Sequence, residues 1–271
     1  MVRKRKIRRP EGARRLGGSL GPGRIAVLQP ACTPSMVEIA LGAQLWWGQS
    51  LQRAGREALT CAARFGDDQG RRVIGAEPSE TPLPDLTVWQ MLRKQAGARF
   101  GVSSRFDLVD DNRLDVSAWL FEQRGERLET LGEWTRECSA PELAEGVFAV
   151  LADIARRVGA RPPWEDWVAA FDTGDAEAAM LFLRALGVYS IADWRLPVEP
   201  ERALDALVDV LALAPSMEPA IAHLPTHFRL MLDSAGASPF TVARAYRRAV
   251  DVVGRVPDAW REVDRELRGA G

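Results

Sequence analysis

Between Arg105 and Phe121 the chain reads RFDLVDDNRLDVSAWLF. Apolar side chains take alternate positions, a polar Asp-Asp-Asn break follows, and the alternation resumes. Successive strand side chains point to opposite faces, so Phe106 and Leu108, then Leu114, Val116, Ala118 and Leu120, share one face of a β-hairpin. Asp110, Asp111 and Asn112 tolerate the positive φ that a tight turn needs. A slip of one residue would turn the whole apolar row into water, so the pattern also sets the register. QRGER marks a second turn and LETLGEW a third strand. The stretch therefore predicts a three-stranded antiparallel meander.

The flanking segments extend this sheet. RIAVLQP, from Arg24 to Pro30, puts four apolar residues between turn formers, as in a strand buried on both faces. Ser35 is placed to cap the next helix with Glu38 as its capping-box partner, and Met36, Ile39, Ala40, Ala43, Trp46, Trp47 and Leu51 recur at helical spacing. ALTCAARF predicts a second strand, residues 66–85 a long loop, and LTVWQMLRKQAG a helix ended by Gly97. Pro141 opens a helix running to Val158. The order β-α-β-loop-α-β-β-β-α is that of a mixed sheet with flanking helices. From Arg161 onward the pattern is helical throughout. Pro225 divides PAIAHL from THFRLMLDSAG, because proline inside a helix removes a hydrogen bond and crowds the preceding turn. The expected fold is α+β for residues 24–160, joined to an all-α helical-hairpin domain over 161–271. Residues 1–23 form a basic tail and a Gly-rich linker.

The 271 residues carry a net charge of −1, but unevenly: residues 1–15 hold eight basic residues against one acidic. Such an arm gains from counterion release on nucleic acid, without aromatic side chains to stack on bases. Arg3, Lys4, Arg5, Lys6, Arg8 and Arg9 are its candidate contacts, and the binding they support is blind to sequence. Three widely spaced cysteines with no CxxC suggest neither a disulfide framework nor a zinc site. No apolar run is long enough to span a membrane, and the basic start is followed only by IAVL, too short for a signal core. A cytoplasmic protein is expected.

Two features carry a family likeness. Residues 25–30, IAVLQP, match an opening strand of the form IAVLPF. AGARFGVSSRFDLVDDNRLDVSAWLFEQRGERLETLGEW matches a later segment through Ala98, Arg99, Phe100, the RLDVSAWL strand and Trp134. On these residues the front half resembles the TolB amino-terminal-like domain of bacterial regulatory proteins. Ser103 and Ser104 stand where that family has a glycine. Ala206–Ala220 and Ala245–Trp260 each resemble the second helix of a tetratricopeptide repeat. Their prolines, Pro215 and Pro257, are spaced too widely for regular repeats, so these are either degenerate repeats or plain helix hairpins. The resemblance implies contact with a protein partner and no catalysis.

Candidate chemistry is sparse. The only histidines, His223 and His227, are spaced i,i+4 like a helical metal pair, with Glu218 and Asp233 as conceivable further ligands. Pro225 between them argues for a helix–helix corner instead. GGSLGPG precedes the first strand rather than following it, so it reads as linker and not as a phosphate loop. Asp107, Asp110, Asp111 and Asp115 read as turn and solvent-face residues. No catalytic residue, cofactor or metal is assigned. The expected function is that of a non-enzymatic regulatory or scaffold module. Trp164, Trp167, Tyr189 and Trp194 are its candidate partner anchors, and nucleic-acid binding through the tail is the alternative.

Overall fold

A computed structural model describes residues 23–61, 64–66, 73–75, 78, 80–110, 113–160, 176–193 and 200–233, and then 239–269. The fold is α+β, with a mixed sheet flanked by helices and a group of further helices packed against it. Strands β1 (Ile25–Leu28) and β3 (Ala58–Cys61) run parallel, joined through helix α1 (Val37–Arg53). Strand β6 (Phe100–Asp110) lies parallel to β1, and the two-residue β2 (Ala31–Cys32) continues that pairing on β6. The meander follows as β6, β7 (Arg113–Arg124) and β8 (Arg127–Ser139), all antiparallel, giving the order β3-β1-β6-β7-β8. In place of one strand over ALTCAARF there are two short ones. After β3, β4 (Arg64–Gly66) pairs instead with β5 (Val73–Gly75), inside the segment expected to be loop.

The alternation decides which residues are inside. Leu114, Val116, Ala118, Leu120 and Glu122 of β7 are buried in strict period two. Phe106 joins them, but Leu108, expected on the same face, is 40% exposed near the hairpin tip. Gly125, at φ 61°, makes the second turn. Strand β3 is one edge of the sheet among the described residues and β8 the other. An extra residue at Leu131 breaks its register with β7, and Arg127, Glu129, Glu133 and Glu137 are exposed along it. Bulges and charges of this kind blunt an edge against pairing with another chain.

Helices α1 and α3 (Leu143–Val158) cover one face of the sheet. Helix α2 (Asp85–Gln90), continued as a wider π-turn to Ala96 and stopped by Gly97 at φ 54°, covers part of the other. The Ser35 cap does not form: residues Pro34–Met36 make a 3₁₀ turn, and α1 starts only at Val37 with no side-chain cap. What anchors α1 is tertiary. Gln44 Nε2 donates to the carbonyls of Val27 and Cys61, at the ends of two neighbouring strands, and Trp47 Nε1 donates to Val147 O on α3.

The remaining helices among the described residues are α4 (Ala176–Asp193), α5 (Pro200–Leu213), α6 (Glu218–Asp233), α7 (Pro239–Val253) and α8 (Arg261–Gly269). They share the core of the sheet half: one continuous buried cluster runs from Ile25 to Val263. The seam is the crossing of α1 and α4. A Cβ on Gly42 would overlap the Leu183 carbonyl oxygen, and one on Gly187 would overlap the Glu38 carbonyl oxygen. Trp46 sits beside this crossing, with ring contacts to Phe148 of α3, Phe182 of α4 and His223 of α6.

The expected break at Pro225 is absent, and α6 runs through it as one helix. Proline leaves the carbonyl four residues earlier without its donor, and that carbonyl belongs to Ile221. Trp260 Nε1, from the turn before α8, donates to Ile221 O at 2.7 Å. An indole far along the chain thus supplies the missing hydrogen bond.

Candidate functional site

Helices α7 and α8 are both amphipathic. Val242, Ala245, Tyr246 and Ala249 of α7, and Val263 of α8, are buried. A groove of about 390 Å³ lies open between the two helices. Ala243, Val250, Val256 and Leu267 give it an apolar floor, and Arg247, Asp251 and Arg268 form a charged rim. Tyr246 fixes one wall. Its ring packs on Phe228 and Trp260, and its hydroxyl donates to Asp264 Oδ1 at 2.9 Å. Arg268 closes on the same carboxylate at 2.9 Å. Burial and the Asp264 contact push the Tyr246 hydroxyl pKa upward. Burial would raise Asp264, but the hydrogen bonds from Arg268 and Tyr246 outweigh it and hold the carboxyl below its ordinary range. On the opposite side, Arg248 ties α7 to α5 through Asp209 at 2.6 Å. Phe240, in the first turn of α7, is 70% exposed. The arrangement is an apolar slot with ionic edges.

A second, shallower hollow lies at the turn between β7 and β8, lined by Arg93, Gly97, Arg99, Gln123 and Glu126 among others. Its guanidinium at Arg99 is already engaged. Register places Glu122 in the buried row of β7, 4% exposed, where Arg99 donates to Oε1 at 2.8 and 2.6 Å and Arg124 to Oε2 at 2.8 Å. Burial alone would raise the Glu122 pKa, but these two arginines reverse the sign and lower it. A lowered carboxylate pKa gives stability that is present above the unfolded value and lost as pH falls through the folded one. Glu122→Gln is therefore expected to cost about 1–2 kcal/mol at pH 7. The difference from wild type should begin to shrink below about pH 4 and vanish only once pH has fallen through the lowered folded value, measured by urea unfolding at pH 7 and at steps through the acid range.

The structure places few of the sequence-derived anchors. Tyr189 is half-buried on α4, its ring 4.6 Å from that of His227. Trp164, Trp167 and Trp194 lie outside the described residues, as do Arg3, Lys4, Arg5, Lys6, Arg8 and Arg9. His223 and His227 are buried inside the helical group, while Glu218 is exposed at the start of α6. No group of three or more metal-binding side chains occurs among the described residues. Asp107, Asp115 and Glu137 stand in register across β6, β7 and β8. Burial first, and Glu137 beside it, raise the Asp115 pKa. Cys32, Cys61 and Cys138 are buried and form no disulfide. Burial pushes the Cys32 thiol up to about 12 and the Cys138 thiol to about 11, so neither forms a reactive thiolate at neutral pH. No helix of the described residues is long and apolar enough to cross a membrane. The α7–α8 groove had no signal in the sequence beyond the two amphipathic faces.

No family model matches the chain, and no curated protein matches it. Among solved structures it is similar to a PelC dodecamer from Paraburkholderia phytofirmans, at 15% identity and TM-score 0.35, over 54% of this chain and 94% of that one. It is also similar to the hypothetical protein CT253 from Chlamydia trachomatis, at 13% identity and TM-score 0.25, over 44% and 73%.

Proposed function

We propose that this chain is a non-enzymatic protein-binding module that serves regulation or assembly in the bacterial cytoplasm. On this reading its front is a TolB-amino-terminal-like domain and its rear a degenerate tetratricopeptide-like array. The observation that carries the reading is the α7–α8 groove. It has an apolar floor, walls locked by the Tyr246–Asp264–Arg268 contacts, and an exposed aromatic on α7. A prebuilt slot of this kind costs little ordering when a partner docks. Three buried cysteines outside any disulfide suit a reducing compartment.

The test uses Ala243→Arg, which fills the groove from a half-buried position with a side chain that can reach solvent. Affinity capture from the native host identifies the partner, and titration with the purified partner measures its affinity. The variant should weaken binding by at least about tenfold, a loss of about 1.4 kcal/mol, with an unchanged far-UV circular dichroism spectrum. Deleting residues 1–15 should leave that affinity intact. Undiminished binding by Ala243→Arg overturns the groove reading. Salt-sensitive retention of DNA that vanishes with the tail, without any protein partner, favours nucleic-acid binding instead.

A further inference from the structure

The groove leaves the chain's two histidines unexplained, and their surroundings are unusual. His227 is fully buried and His223 nearly so; His223 Nε2 is buried without a hydrogen-bond partner, and His227 Nε2 is buried with no well-formed hydrogen bond, only the Ala185 carbonyl acting on that ring besides His223. Orphaned buried polar atoms are rare and costly. Both rings sit where α6 meets the seam of the molecule. His223 packs on Trp46 of α1 at 6.4 Å and on Phe182 of α4 at 5.8 Å, centroid to centroid. His227 packs on Tyr189 of α4, and its Nδ1 lies 3.1 Å from the His223 carbonyl oxygen. The two rings are 6.4 Å apart.

No carboxylate among the described residues acts on either ring. The charges that reach His223 are a protonated His227 and, from α1, Arg53, whose guanidinium lies 6.0 Å from the Trp46 ring. Tyr189 is the titratable group facing His227 from α4. Among the described residues, no ionised group of α5, α7 or α8 acts on the pair. A proton on either imidazole would therefore sit in an aromatic pocket with no counter-ion, and on His223 it would also face Arg53. Such a charge escapes only if the pocket opens to water.

We propose that His223 and His227 form an acid-released latch. While both rings are uncharged they seal α6 against α1 and α4, and protonation opens that seam while the sheet stays folded. Burial, then His227 and Arg53, lower the His223 pKa to about 3. Burial lowers that of His227 to about 4, although the carbonyls of His223 and Ala185 pull it upward. The sign follows. The open state holds protons at the ordinary imidazole value near 6.5, so closure is complete above about pH 6.5 and weakens as pH falls. Each histidine then weakens closure about tenfold per pH unit, until its closed-state pKa is reached.

The test needs the intact chain and two readouts. The protein has only two histidines, so proton NMR follows both rings directly, and both should titrate below about pH 5. A midpoint near 6.5 for either ring in the folded protein overturns the proposal. Hydrogen exchange, corrected for intrinsic rates, should show protection over residues 218–233 falling about twentyfold per histidine between pH 7 and pH 5. Strands β6–β8 should keep theirs. The double variant His223→Phe, His227→Phe removes both titrations and should show no such loss. His227→Gln, which keeps a polar ring-sized group, should lose half of the effect on a logarithmic scale. Unchanged protection in wild type, equal loss in the variants, or loss shared by the sheet contradicts the latch.

Discussion

Gly187→Ala is expected to destabilise the chain by about 3 kcal/mol or more, the upper range for overpacking, and Gly42→Ala by a similar amount. Alanine in a helix interior ordinarily gains about 1 kcal/mol over glycine, so the expected sign is opposite to the helix-propensity rule. The reason is reciprocal. Each glycine lies against a backbone carbonyl of the other helix, Gly42 against Leu183 and Gly187 against Glu38. A backbone carbonyl cannot swing aside as a side chain does. Helix α1 cannot retreat either, because Gln44 binds it to the ends of β1 and β3 and Trp47 binds it to α3. Gly48→Ala makes the control. Its Cβ would meet only the Thr60 methyl at 2.8 Å, and that side chain can rotate, so its cost should be smaller. Urea unfolding followed by far-UV circular dichroism ranks the three variants.

Trp260→Ala should cost about 3–5 kcal/mol, and Trp260→Phe isolates the polar part. Phenylalanine retains most of the packing against Tyr246 but removes the donor to Ile221 O. Leaving that acceptor beside Pro225 without a partner should cost about 1–3 kcal/mol. Pro225→Ala restores a backbone N–H one helical turn after Ile221. In that background Trp260→Phe should therefore cost about 1 kcal/mol less than in wild type. A double-mutant cycle with strictly additive effects would show that the indole does not replace the missing helix hydrogen bond.

The same pair shows where local reading of the sequence stops. The rule that proline ends a helix is sound, but its penalty is an unpaired carbonyl, and the donor that removes it lies 39 residues from Ile221. The Ser35 cap failed for a related reason. Its box pattern was correct, yet Gln44 and Trp47 position α1 from outside, so the helix needs no side-chain cap. By contrast, the meander was legible because period two in β7 is enforced residue by residue, from Leu114 to Leu120. Even Glu122 obeys it, at the cost of recruiting Arg99 and Arg124. The glycines of the seam carry no mark that separates Gly42 and Gly187 from the other glycines of the chain. Close approach is a property of the helix that arrives, not of the one that receives it. The groove was hidden in the same way. Tyr246 and Ala249 announce a buried stripe on α7, but which flank stays uncovered depends on where α8 docks.

The account rests on the sheet and the rear helices forming one cooperative body through the α1–α4 crossing. Equilibrium urea unfolding at pH 7.5, followed together by far-UV circular dichroism and tryptophan fluorescence, tests this most directly. The two signals should fall in one coincident transition, because Trp46 touches helices on both sides of the crossing. Two separated transitions, with helical signal lost first and the sheet persisting, would contradict it.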